Sequence, residues 1–477
     1  MTFCAENAQV SGTIEFSGSV AVIDMPKHDA ETALTPTYAS SRAQWAWCFY
    51  DWANSAFATL ITTFIFATYY AEGVVGASGQ GDAEWARMVS LAGLSIAVLA
   101  PVLGAIADQG GRLKPWLGVF TALMVGCAFG RWFVQPDPSS AWLCLMLVGT
   151  GIVAFELAMV FYNAMLPRIA PPDRIGRLSG LGWGLGYAGG LTCLVIALFG
   201  LIGLGETLPP LLDLGEEARE QVAHIRATGP LVGLWILIFA TPLFLLVPLS
   251  PGRSVNAPQA VRQGLSTLWH TIRSLPQHAQ VAWFLVASMF YRDGLNTLFA
   301  LGGIFAAVAI GLETSDILIF AIGLNVTSGI GAVVFGMIDD RIGAEKTIMV
   351  SVGACLILAL CVLFAQDKWV FIGLALVLGV FVGPAQASGR SLMARLAPKE
   401  TVTEFFGLYA LTGKATSFLG PMMYSLLAVW GADALGLDKQ DAARLGMSAV
   451  GILLGLGLIL MVPVLMLGRK QAGQVAE

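Results

Sequence analysis

Charge is what this sequence has least of. Only 12% of its 477 residues are charged, where an ordinary globular chain carries about 25%. A soluble protein of this length would have two or three domains, and so little charge excludes that. The net charge of −5 lends no support to nucleic-acid binding. Seven cysteines are present, none in a CxxC pair, and an odd count makes a poor disulfide framework. They read as small core residues. The four histidines, His28, His224, His270 and His278, fall in tails or loops without metal-site spacing, which weighs against a zinc enzyme. No G-x-x-x-x-G-K-[ST] pattern is present, so direct ATP drive is not expected. With no nucleophile–base set and no metal cluster, neither an enzyme nor a bound cofactor is expected. The first residues show no basic start followed by an apolar run and a small-residue cleavage site. Residues 1–42 read as a disordered cytoplasmic tail.

What is abundant is apolar sequence, at 56% of the chain. A membrane span needs about 20 apolar residues. Twelve runs qualify, at roughly 44–71, 86–108, 114–134, 141–166, 175–203, 229–249, 281–310, 314–338, 345–366, 369–393, 403–430 and 444–468. The expected fold class is therefore an all-α polytopic membrane protein. Lys and Arg collect on the side that holds both termini, and the loops opposite are acidic, with Glu72, Asp82 and Glu84 in one of them. Both termini are thus expected in the cytoplasm. The domain reading is an N-terminal six-helix half at 43–250, a cytoplasmic linker at 251–280, a C-terminal six-helix half at 281–468 and a cytoplasmic tail at 469–477. In the linker, Val261, Leu265, Leu268, Trp269 and Ile272 recur at helical spacing beside Arg262 and Arg273. They fit either an amphipathic helix on the inner membrane surface or a plain connecting helix.

The chain repeats itself. Phe49-Tyr50-Asp51-Trp52-Ala53-Asn54-Ser55-Ala56-Phe57-Ala58 returns 242 positions on as Tyr291-Arg292-Asp293-Gly294-Leu295-Asn296-Thr297-Leu298-Phe299-Ala300. The loop after span two, Gly104 to Lys114 with Asp108 and Arg112, returns after span eight as Gly336 to Lys346 with Asp340 and Arg341. Arg168-Ile169-Ala170-Pro171 returns as Arg395-Leu396-Ala397-Pro398. Each repeat lies on the same predicted side of the membrane, so the two six-span halves are parallel pseudo-repeats.

The pattern G-x-x-x-D-[R/Q]-x-G-x-x-K after spans two and eight resembles the signature of the major facilitator superfamily, with Gln109 where Arg is usual. The finer motifs are Tyr50-Asp51-Trp52-Ala53-Asn54-Ser55-Ala56-Phe57, Tyr291-Arg292-Asp293-Gly294 and Glu404-Phe405-Phe406-Gly407-Leu408-Tyr409 followed by Gly413-Lys414-Ala415-Thr416-Ser417. They look like the autophagy-related vacuolar effluxer family, as a bacterial-type member. The resemblance implies the twelve-helix major facilitator fold and transport. Because fungal members are described as exporting amino acids, it also makes amino acids the favoured cargo.

Charges deep in a span should face a cavity or a partner, since lipid cannot solvate them. Glu156 and Lys414 fall near the midplane. Glu156 could carry a proton; Lys414 could bind a substrate carboxylate or phosphate; or the two could form a fixed ion pair. Tyr187 is the counterpart of Lys414 by the repeat offset. Asp51 with Asn54, and Asp293 with Asn296, share a helix face at i, i+3 spacing and could form an inner gate between halves, with Arg292 beside them. Asp51 could equally be stabilised by its helix N-terminus. Asn163, Asn325 and Gln386 could hydrogen-bond a substrate or glue helices together. Asp108, Arg112, Asp340 and Arg341 are candidates for a conformational latch.

The expected protein is a secondary active transporter of a small polar solute, working by alternating access and coupled to protons. It would be a monomer in the bacterial inner (plasma) membrane, with lipid and a small-molecule substrate as partners and no nucleic acid. The alternatives are a transporter of lipid-like or cell-wall-fragment cargo, or a non-transporting sensor on the same fold.

Overall fold

In a bilayer every backbone N–H and C=O must be satisfied within the chain, so long apolar runs become helices. The computed structural model describes residues 38–476 apart from 77–79, 204–208, 213–214, 216–220, 249–251 and 253–254. Its long helices are α1 (Ser41–Ala56), α2 (Gln80–Gly110), α3 (Leu113–Gly130), α4 (Ala141–Ala164), α5 (Ile175–Ala197) and α6 (Thr228–Leu246), then α7 (Ala257–Ser274). They continue as α8 (Ala279–Phe305), α9 (Thr314–Ile342), α10 (Ala344–Phe364), α11 (Lys368–Leu396), α12 (Val402–Ala415), α13 (Leu419–Leu435) and α14 (Lys439–Ala476). The tail expected at 1–42 lies outside the described residues up to residue 37. At the other end, the expected tail at 469–477 continues α14 as helix to Ala476.

Among the described residues, eleven segments are long and apolar enough to cross a membrane. The expected first crossing is not among them. Beyond α1 it is broken into π-helical stretches, Phe57–Phe64 and Tyr69–Val74, around a short α-helical turn at Phe66–Thr68. Such π-segments cluster at functional sites. The span expected at 403–430 is also not continuous. α12 stops at Ala415 and α13 starts at Leu419. Pro421 explains the position of the break, because its ring would strike the carbonyl of Ser417 four residues back and it has no N–H to donate. Pro384, by contrast, sits inside the continuous α11.

The helices form two parallel six-helix pseudo-repeats. The halves meet where α2 packs along α12 and α5 along α9. Both contacts rest on small residues. A Cβ at Gly180 of α5 would strike the Ala332 carbonyl of α9, and one at Gly104 of α2 the Thr403 carbonyl of α12. The second glycine row of α5, Gly182, Gly186 and Gly190, faces α1 within its own half. α2 and α9 end alike, at Gly111 (φ 70°) and Gly343 (φ 95°), in the left-handed region that favours glycine. α7 lies against α2, with Gly264 on Ala105 and Ile106. Leu268 is buried there, while Val261, Leu265, Trp269 and Ile272 remain exposed. Elsewhere Leu91, Trp142, Leu245, Phe364 and Trp369 are exposed, as suits a surface facing lipid tails, which are themselves as apolar as leucine.

Candidate functional site

The end of the bundle that carries Asp108 and Asp340 is closed by two repeat-related latches. Asp108, at the end of α2, accepts the Thr403 hydroxyl at 2.6 Å and the Glu404 N–H at 2.9 Å. It thereby caps α12, which belongs to the other half. Asp340, at the end of α9, accepts the N–H groups of Gly176 and Arg177 at 2.7 and 2.9 Å, at the start of α5. In each case a carboxylate sits at the positive end of a helix from the opposite half. The arginines of the latches differ from those the loop pattern suggested. Arg112 and Arg341 are exposed. The guanidiniums beside the carboxylates are Arg168, 3.8 Å from Asp108, and Arg395, 2.9 Å from Asp340. These two are themselves repeat equivalents. Arg395 also reaches Asp339 at 2.5 Å, and Ser391 donates to that carboxylate at 2.7 Å. At the first-half latch the residue equivalent to Asp339 is Ala107.

One layer deeper, Asp51 of α1 holds Arg390 of α11 at 2.8 Å. Both are buried, at 5% and 2% exposure. Arg390 also donates to the Ser179 hydroxyl at 2.9 Å, to the Ser179 carbonyl at 2.6 Å and to Asn163 at 3.3 Å. Its guanidinium lies over the Trp47, Tyr162 and Trp183 rings at 4.9, 5.6 and 5.8 Å. A second-half arginine is thus seated in a socket built by α1, α4 and α5 of the first half. Gly182 leaves the room: a Cβ there would lie 2.5 Å from the Asp51 carboxylate. Asn54 points elsewhere, donating to the Met159 sulfur.

The second-half copy of the motif is built differently. Asp293 of α8 does not meet Asp51 or Arg390, so the two polar faces expected to form a gate between the halves are not brought together. Instead Asp293 accepts the Gly420 N–H at 3.0 Å and caps α13. Arg292 turns to the Tyr409 carbonyl at 2.7 Å and lies over the Tyr409 ring. Asn296 is exposed. Gln386 is half-buried, and Asn325 donates within its own helix, to the Ala321 carbonyl.

Towards the opposite end a cavity of about 930 Å³ opens. The π-helical stretch contributes Phe57, Ala58 and Thr62; α2 contributes Trp85 and Val89, and α4 contributes Phe155. Glu156 of α4 and Lys414 of α12 project into it from opposite halves and pair at 2.6 Å. Both keep about a quarter of their side-chain surface exposed (24% and 28%). Tyr187 is not opposite Lys414. It packs on Gly329 at the α5–α9 contact, with Trp183 beside it. Repeat equivalence puts the two residues at like depth in different halves, and contact does not follow from it.

Sequence reasoning missed Arg390, Arg168, Arg395, Asp339 and Ser179. Arg390 had a signal: it lies inside the 369–393 run and is the repeat equivalent of Asn163.

Two parallel six-helix halves, latched at one end and open to a cavity at the other, define a transporter of the major facilitator superfamily. The family described as "Vacuole effluxer Atg22 like" matches residues 85–473, and the chain belongs to it. It is 29% identical over 389 residues to the MFS-type transporter YxiO of Bacillus subtilis, covering 80% of this chain and 87% of that one. It is 24% identical over 327 residues to autophagy-related protein 22-2 of Emericella nidulans, covering 62% of this chain and 52% of that one. The chain thus spans about half the length of this fungal relative. Among solved structures, the proton:xylose symporter XylE superposes with a TM-score of 0.66 at 13% identity, covering 88% and 94% of the two chains. A bacterial homologue of the iron transporter ferroportin, in its outward-facing state, gives 0.61 at 14% identity, covering 89% and 98%.

Proposed function

We propose that this transporter moves small zwitterions, amino acids above all, by alternating access coupled to a proton gradient. The observation that carries the reading is the Glu156–Lys414 pair, 2.6 Å apart and shared between the halves, in an otherwise largely apolar chamber. An amino acid offers an ammonium to Glu156 and a carboxylate to Lys414, and so replaces the pair without leaving a charge unpaired. Its side chain would lie against Phe57, Trp85 and Phe155. Inserting the solute parts the two halves at the cavity, which favours rocking about the bound site. The Arg and Lys gathered at the latch end support a cytoplasmic position for it under the positive-inside rule. The Bacillus relative supports a bacterial plasma membrane.

The test is uptake of a mixed labelled amino-acid pool into proteoliposomes, with and without an inward proton gradient. Glu156→Gln and Lys414→Met each leave one charge unpaired in the chamber and should cut uptake by about tenfold or more. Uptake by wild type that neither variant changes would reduce the pair to a structural contact. A well-folded wild type that takes up no amino acid would overturn the substrate class.

A further inference from the structure

We propose that Asp293 is the proton-carrying group of the cycle, with the break between α12 and α13 as the element it controls. This rests on the proton-coupled reading above and assigns the coupling site within it.

Asp293 is 1% exposed. Its Oδ2 takes the Gly420 N–H, and its Oδ1 has no partner among the described residues. Thr297, one turn on, is also 1% exposed, and its hydroxyl is likewise without a partner. Thr297 also packs on the residue that Asp293 caps: a Cβ on Gly420 would run into the Thr297 hydroxyl. Among the described residues no charge compensates the carboxylate. On its own helix, Arg292 is engaged with Tyr409. On α12, Lys414 is paired with Glu156. On α11, Arg390 is paired with Asp51. α14 presents Leu453 and Leu454 at neighbouring Gly294, and α13 offers its uncharged first turn.

A buried, unpaired carboxylate is costly, and either a proton or a metal cation would relieve it. A hard cation needs about six oxygen ligands. Two free oxygens are present, and the positive end of α13 beside them repels a cation. A proton needs only the Oδ1 lone pair. Taken from water on the side of higher proton potential, it converts Oδ1 into an O–H. It leaves by the same oxygen on the other side.

The ionised form makes a charge-assisted bond to the start of α13 and favours its dipole, and protonation weakens both. The break, Thr416–Phe418, is tied to α8 by the Thr416 hydroxyl, which donates to the Met289 carbonyl at 3.1 Å. Lys414 lies in the last turn of α12, directly before that break. A change of charge at Asp293 is therefore transmitted to the Lys414–Glu156 pair that spans the halves. The first-half copy is built differently, because Asp51 is paired with Arg390.

The test uses the full chain in proteoliposomes with the labelled amino-acid pool, measuring exchange at equal pH and accumulation down a proton gradient separately. Asp293→Asn should exchange within about threefold of wild type yet lose accumulation by about tenfold or more, while Asp293→Glu still accumulates. Accumulation by Asp293→Asn at the wild-type level overturns the proposal. So does loss of exchange in both variants, which would make Asp293 a structural cap only. If Asp293→Asn does not fold, Asp293→Glu decides: the pH midpoint of exchange should move by about half a unit, and an unmoved midpoint overturns the assignment. A wild type that exchanges but never accumulates overturns the coupled reading itself.

Discussion

Arg390→Met is the most informative single change in this transporter. Arg390 and Asp51 come from different halves, and their 2.8 Å pair is buried at 3% and 7% side-chain exposure. Removing one member of a buried pair costs about 3–5 kcal/mol, because the other charge is left uncompensated. The pair can exist only while the latch end is closed, since α1 and α11 must be in contact. The cost therefore falls on the closed state and not evenly on both conformations. At 1.4 kcal/mol per factor of ten, about 3 kcal/mol shifts the open-to-closed ratio by about 10². Asp51→Asn should shift it less, because Arg390 keeps Ser179, Asn163 and three aromatic rings. The assay is alkylation of Ala387→Cys, a buried α11 position whose carbonyl accepts the Ser179 hydroxyl, in a background without native cysteine. A membrane-impermeant maleimide is added from the latch side. The rate should rise by about a hundredfold in Arg390→Met, in proportion to the open fraction. An unchanged rate, together with a lowered Tm, would refute the reasoning. It would mean that the pair survives in both conformations and only stabilises the fold.

Two further changes test the frame around the site. Gly180→Leu puts a side chain against the Ala332 carbonyl of α9; it should force α5 and α9 apart and raise the same alkylation rate by about tenfold or more, and an unchanged rate would show that this contact does not close the latch end. At the other end, the Lys368 ammonium bonds Asp316 at 2.6 Å and holds its carboxyl below the usual range. A depressed pKa contributes stability above the unfolded value of about 3.9 and loses it as pH falls through the folded value. Asp316→Asn should therefore lower Tm at pH 7, with the difference shrinking below about pH 4; a difference that does not change with pH would mean that the hydrogen bond matters and the charge does not.

The spans were legible because a bilayer leaves the backbone one solution, and the apolar runs mark where it applies. Glu156, Lys414, Asp51 and Asp293 stood out because lipid makes each of them expensive. What could not be read was pairing. Asp108 precedes Arg112 by one turn and Asp340 adjoins Arg341, so proximity in sequence nominated those arginines. The chain instead brings Arg168 to its carboxylate from the short turn beyond α4, at Leu166–Ile169, and Arg395 from the last turn of α11. Arg390 lies near the end of its run, and its equivalence to Asn163 marks a polar position that recurs in both halves. The break before α13 falls just ahead of Gly420-Pro421, where the proline ring would strike the preceding turn.

Duplication explains why the Asp-x-x-Asn-[Ser/Thr] motif recurs, but it does not fix what the motif does. Each copy sits at the repeat-equivalent position on the first helix of its half. The difference comes from what each aspartate meets. Asp51 meets a guanidinium from the other half and becomes part of a lock that holds while the latch end is closed. Among the described residues Asp293 meets only an N–H of its own half, at a helix start that Pro421 has separated from the preceding turn. A charge already compensated can report only whether the halves are together. A charge left uncompensated at a hinge can take up or release a proton, and so drive the hinge. On this argument the asymmetry between the copies is what allows a symmetric fold to couple two events, and moving a guanidinium next to Asp293 should abolish coupling while leaving exchange intact.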